Sequence, residues 1–103
     1  MRKFEYRHPR LRGSFIVEFI FAGRTLRGTC INISDAGIRA TLDGEVPAGS
    51  TGLLTMRHPH RSLTIQAVAT HLQADEVGLS FIFHSKTQRE LTRQFLASAT
   101  GRT

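Results

Sequence analysis

Ser14-Phe15-Ile16-Val17-Glu18-Phe19-Ile20-Phe21 alternates with a period of two: Phe15, Val17, Phe19 and Phe21 fall on one face, and Ile16, Glu18 and Ile20 on the other. That period, with its aromatic and β-branched content, predicts a strand with one face in a core. Ala22-Gly23-Arg24 is a tight connection, and residues 25–33 read as the returning strand, with Leu26, Gly28 and Cys30 inward. Residues 38–42 form a short third strand, and residues 43–50, with Gly44, Pro47 and Gly49, a turn-rich connection. Residues 51–57 read as a fourth strand that stops at His58-Pro59-His60. Leu63, Ile65, Ala67 and Ala69 then alternate with Thr64, Gln66, Val68 and Thr70 in a long fifth strand. After a turn at residues 73–76, Val77, Leu79, Phe81 and Phe83 give one face of a sixth. Six short strands at close intervals point to a barrel or a sandwich. The period then lengthens. Ser85 is placed to cap a helix over residues 86–98, where Leu91, Phe95, Leu96 and Ala99 recur at helical spacing. Such a helix would lay Leu91 and Phe95 over one end of a barrel.

The chain of 103 residues supports a single small domain with one core. Its longest apolar stretch, residues 15–22, is interrupted by Glu18 and falls far short of the roughly 20 residues of a membrane span, so no membrane insertion is expected. The charges near the N-terminus are followed by no apolar region, which argues against a secretory signal. Cys30 stands alone, which precludes an internal disulfide and suits a reducing cytoplasm. Its apolar surroundings predict a buried, structural thiol. Basic residues number 14 against 8 acidic, for a net charge of +6. Five of them, Arg2, Lys3, Arg7, Arg10 and Arg12, stand in the first 12 positions beside Glu5. Only Lys3 and Lys86 are lysine, and the arginine fork matches phosphates and the O6/N7 edge of guanine better than a point charge does.

A second polar element, Asn32-Ile33-Ser34-Asp35-Ala36-Gly37, ends the second strand. Asn and Ser add neutral donors and acceptors, and glycine permits close approach of backbone. The hairpin between the two elements can return this loop to the side of the arginine segment Tyr6-Arg7-His8-Pro9-Arg10-Leu11-Arg12. Together they form a candidate site for a small guanine-containing anion. The same loop also reads as an ordinary polar turn in which Ser34 or Asp35 bonds to backbone.

These elements, in this order, resemble the PilZ domain, a bacterial receptor module for cyclic di-GMP. Asn32, Ser34 and Gly37 match the family's [Asp/Asn]-x-Ser-x-x-Gly, followed by Ile38-Arg39-Ala40. Val77-Gly78-Leu79-Ser80-Phe81 is similar to the family's final strand, and the helix at residues 86–98 follows the family layout. In the Arg-x-x-x-Arg element the second arginine falls on Arg10, while Tyr6 stands where the first is expected and Arg7 follows it. The resemblance implies a mainly β fold, a six-stranded antiparallel β-barrel of the split-barrel type with a C-terminal α-helix. It implies one domain over residues 5–99, divided into a basic arm (1–13), a barrel (14–84) and a helix with tail (85–103). It also implies cyclic di-GMP as ligand, with Arg7, Arg10, Asn32, Ser34 and Gly37 as its binding residues. Arg10 would take a guanine edge or phosphate, with Arg7 replacing the displaced arginine or Tyr6 stacking on a base. Asn32 and Ser34 would hydrogen-bond the ligand, and Gly37 would let the loop turn sharply into the next strand.

No catalytic constellation is visible, so no enzyme is expected, and no cofactor other than the ligand. His58 and His60 lack the convergent third and fourth ligands of a zinc site. The remaining classes are a cyclic di-GMP receptor whose arm orders on binding and signals to a bacterial protein partner, and an adaptor of the same fold, for instance in motility or pilus machinery, that binds protein without nucleotide. A nucleic-acid-binding barrel is disfavoured: the chain has one Tyr and no Trp, and its Phe residues fall at core positions, so no stacking platform for DNA or RNA is available.

Overall fold

A computed structural model describes residues 16–59, 61–73 and 75–99. Its elements are β1 (Ile16–Phe21), β2 (Arg24–Ile33), β3 (Gly37–Leu42), β4 (Thr51–His58), β5 (Arg61–Gln73), β6 (Glu76–Ile82) and α1 (Lys86–Ala99). The strands close into a barrel in the order β1-β2-β3-β6-β5-β4, with every neighbouring pair antiparallel. Closure leaves no free sheet edge. The expected arm at residues 1–13 lies outside the described residues.

Alternation decides which side chains fill the interior. Val17 and Phe19 of β1, Leu54 and Met56 of β4, Ile65, Ala67 and Ala69 of β5, and Val77, Leu79 and Phe81 of β6 are buried in one cluster. Phe21 and Phe83 are half-buried against it, so these phenylalanines are core residues, as the alternation predicts. The outer face of β1 carries Glu18 between two guanidiniums, Arg27 of β2 at 3.2 Å and Arg57 of β4 at 3.1 Å. Both arginines are thereby committed to the β1 face.

The β1–β2 hairpin is tighter than the sequence suggests, because Arg24 already pairs with Phe21 and only Ala22 and Gly23 form the turn. Both have positive φ, 51° and 76°, as the hairpin turn matching strand twist requires. Alanine tolerates that region poorly, whereas asparagine visits it readily. Ala22→Asn is expected to stabilise the fold by about 1 kcal/mol, measured as a higher urea midpoint at unchanged slope. A midpoint equal to or below that of the parent chain would refute it.

At the start of α1, Ser85 caps as expected: its Oγ accepts from the Gln88 amide at 3.1 Å, while Gln88 Oε1 accepts from the His84 amide at 2.7 Å. The buried stripe is shifted from the expected one. Phe95 and Leu96 join the core and α1 packs against β5, but Leu91 is 50% exposed. Thr92 takes the inward place and is buried, its hydroxyl donating to the Gln88 carbonyl at 2.8 Å. That internal bond removes the cost of burying an unpaired hydroxyl, so the stripe centres on Thr92, Phe95 and Leu96 and leaves Leu91 on its flank.

Candidate functional site

Asn32 faces outward because β2 contains one residue more than β3 opposite it. Cys30 pairs with Ala40 and Asn32 with Arg39, so Ile31 is the extra residue of a β-bulge. Strict alternation from the buried Cys30 would have turned Asn32 into the core. The bulge instead buries Cys30 and Ile33 and leaves Asn32 and Arg39 as exposed cross-strand neighbours. The Cys30 thiol donates to the Asn32 carbonyl at 3.5 Å within this irregularity. Burial pushes that thiol up to about 12, against the smaller opposing effect of the same hydrogen bond. It stays protonated at neutral pH and is structural, as expected.

The loop after β2 is held by Ser34. Its amide donates to the Gly37 carbonyl at 2.9 Å and its hydroxyl to the same oxygen at 3.3 Å, while the hydroxyl accepts from the Ala36 amide at 3.2 Å. The Ala36 carbonyl in turn accepts from the Phe81 amide at 2.9 Å, which fixes the loop on β6. The polar-turn reading of this loop is therefore realised in the fold. It is compatible with ligand contact, because the Ser34 hydroxyl keeps a lone pair and Asn32 makes no side-chain hydrogen bond among the described residues.

Gly37 serves the site differently from expectation. It is not among the positive-φ residues, so the turn into β3 does not draw on glycine's left-handed freedom. Its backbone lies so close to β6 that a Cβ would collide with the Leu79 carbonyl oxygen and approach the Ser80 Cα to 3.0 Å. Gly37 lets β3 and β6 come together under the groove.

That groove is open, holds about 350 Å³, and crosses the strands β2, β3, β6 and β5. Asn32, Ser34, Arg39, Thr70, Gly78 and Ser80 contribute to its lining. Thr70 reaches it through a second bulge, since Ala69 pairs with Leu79 and His71 with Gly78. Gly78, opposite Arg39, has no side chain to fill the floor. Arg39 is 54% exposed and its Nε lies 3.8 Å from Glu76 Oε1. Acceptors on Asn32 and Ser34 suit the donor edge of a purine, and the guanidinium suits an anion or the O6/N7 edge.

Of the expected site residues, the structure brings Asn32, Ser34 and Gly37 together, while Arg7 and Arg10, with Tyr6, lie outside the described residues. Arg39, Thr70 and Ser80 were not anticipated as site residues. Arg39 had a signal: a cation two residues after the glycine, at an outward position of β3. Among the described residues no three His, Cys, Asp or Glu side chains converge as a metal site would require.

The sequence profile of the PilZ domain family matches residues 5–98, nearly the whole chain and both motif elements. The chain belongs to the PilZ family. No curated protein matches it by sequence. Solved structures, two of them titled PilZ domains, share its fold at low identity. The PilZ domain of YcgR from Escherichia coli, solved with c-di-GMP, has a TM-score of 0.73 at 14% identity, over 96% of this chain and 92% of that one. The PilZ domain of CeSA from a cellulose-synthesizing bacterium has a TM-score of 0.72 at 11% identity, over 86% and 95%. The inhibitor of motility MotI from Bacillus subtilis has a TM-score of 0.67 at 19% identity; this chain covers 52% of its length, and 95% of this chain is matched. The fold is therefore shared by proteins with very different sequences.

Proposed function

We propose that this PilZ domain is a cytoplasmic receptor for cyclic di-GMP, a regulatory module and not an enzyme, that orders its arginine arm on binding and signals to a protein partner. The observation that carries the reading is the bulge at Ile31, which turns Asn32 out beside the Ser34 loop at the mouth of the groove. The register adds support. Ile16, where the described chain enters β1, pairs with Thr29 of β2, so the entry lies toward the end of β2 that carries Asn32. In this reading the ligand in the groove is also contacted by Arg7 and Arg10, which precede β1 in the sequence. The ligand's phosphates would neutralise that arm, and the ordering cost is offset by charge-assisted hydrogen bonds.

Isothermal titration calorimetry with cyclic di-GMP, with GTP as control, tests the reading. Saturable binding at micromolar affinity or better, absent with GTP, is expected. Asn32→Ala should weaken it about tenfold, the loss of roughly one good polar contact, with thermal unfolding unchanged because the side chain is exposed. A flat titration with folded protein would refute the receptor reading. Tyr6 at the position of a motif arginine favours the second reading in that case, an adaptor that binds protein without nucleotide.

A further inference from the structure

We propose that Arg39 is a ligand-binding residue of the groove, making good the cation lost at Tyr6, and that Glu76 is the counter-ion it exchanges for the ligand. The inference rests on the receptor reading and deepens it.

Arg39 has three properties that the other described arginines do not combine. It lines the groove, it is the cross-strand partner of Asn32, and it is more than half exposed, at 54%. Directly opposed side chains on one sheet face start about 5 Å apart at Cβ, so its guanidinium and the Asn32 carboxamide can reach one small ligand together. Arg27 and Arg57 are held on the β1 face by Glu18, and Arg61 begins β5 opposite His58, away from the groove. On its other side Arg39 has Gly78, which offers no side chain to hold it or to block an approaching phosphate.

Arg39 is paired with Glu76. The pair is long, 3.8 Å, and both side chains are partly exposed, at 54% and 36%. Exposed pairs of this kind are weak and exchange readily. A phosphate offers the guanidinium two oxygens in matching geometry, the stronger arrangement. The groove's anion and Glu76 therefore compete for one cation. Removing the carboxylate should strengthen ligand binding, an effect opposite to that of removing a supporting residue.

The test is calorimetric titration of the full chain and its variants with cyclic di-GMP. Arg39→Ala and Arg39→Gln are each expected to weaken binding about tenfold, and Arg61→Ala, which removes the same charge elsewhere, much less. Glu76→Gln should tighten binding about two- to fivefold, and Asp75→Asn, the same charge change one residue away, less. In the Arg39→Gln background the gain from Glu76→Gln should vanish, because the competition has lost its object. If the parent chain does not bind, the receptor reading fails and this inference with it. If the parent binds and both Arg39 variants match Arg61→Ala, the role of Arg39 alone is refuted. If Glu76→Gln gives the same gain with and without Arg39, the counter-ion role of Glu76 is refuted. Urea unfolding of each variant shows that a lost titration comes from folded protein.

Discussion

Gly28→Ala is expected to destabilise the barrel by about 3 kcal/mol or more, a large share of the roughly 5–15 kcal/mol that holds a domain of this size. Gly28 lies within β2, paired with Val17 of β1 and Leu42 of β3. A Cβ built there would fall on the Thr41 carbonyl oxygen and reach 2.9 Å from the Leu42 Cα. The obstacle is backbone on a hydrogen-bonded strand, so no rotamer change relieves it. Relief requires β2 and β3 to separate next to the place where Asp43 joins them, its amide donating to the Arg27 carbonyl at 2.9 Å and its Oδ1 accepting from the Arg27 amide at 3.0 Å. Each ladder bond weakened adds about 1 kcal/mol to the cost of overpacking. Gly44→Ala is the control: there the nearest atom is the Leu26 Cδ2 methyl at 2.8 Å, which can move aside. Urea unfolding should show a much lower midpoint for Gly28→Ala and a small change for Gly44→Ala. Equal midpoints for the two would disprove the close-approach argument.

Alternation in β1, β5 and β6 was enough to name Val17, Phe19, Ile65, Ala67, Ala69, Val77, Leu79 and Phe81 as core, and all are buried. These strands report their faces because each pairs over most of its length without a slip, so residue parity and sheet face stay in step. At Cys30-Ile31-Asn32-Ile33 parity fails. A bulge residue has no composition of its own, and Ile31 is as β-branched and apolar as any strand residue. Only the register against β3 shows that Asn32 faces out and Ile33 in. The motif could be read from spacing, but its presentation could not. Thr70 and Ser80 are a step further removed, since they join Asn32 through the adjacency of β3, β6 and β5, which no local pattern encodes. On α1 the difficulty was one of chemistry: Thr92 reads as polar, yet a hydroxyl satisfied within its own helix can occupy the centre of a buried stripe.

Gly37→Ala is expected to lower both stability and cyclic di-GMP affinity, and the joint loss distinguishes a residue that shapes the groove from one that touches the ligand. Its Cβ would press on the Leu79 carbonyl and Ser80 Cα at the register where Gly37 faces Ser80 and Ile38 faces Leu79. β3 must then draw away from β6 beneath the groove. The bonds nearest the strain hold the loop after β2: Ser34 amide and hydroxyl to the Gly37 carbonyl, and Phe81 amide to the Ala36 carbonyl. A stability loss of about 1–3 kcal/mol follows from overpacking, with a fall in Tm of about 4–8 °C for each kcal/mol. Affinity should fall more than tenfold at a temperature where circular dichroism shows the variant folded, because Ser34 and Asn32 no longer hold their spacing to Arg39. Asn32→Ala, by contrast, should lose affinity alone. If Gly37→Ala melts with the parent chain and binds equally well, the close approach of β3 to β6 is not what builds the groove. If it melts lower but binds equally well, the groove does not depend on that approach and the loop after β2 is held by Ser34 without it.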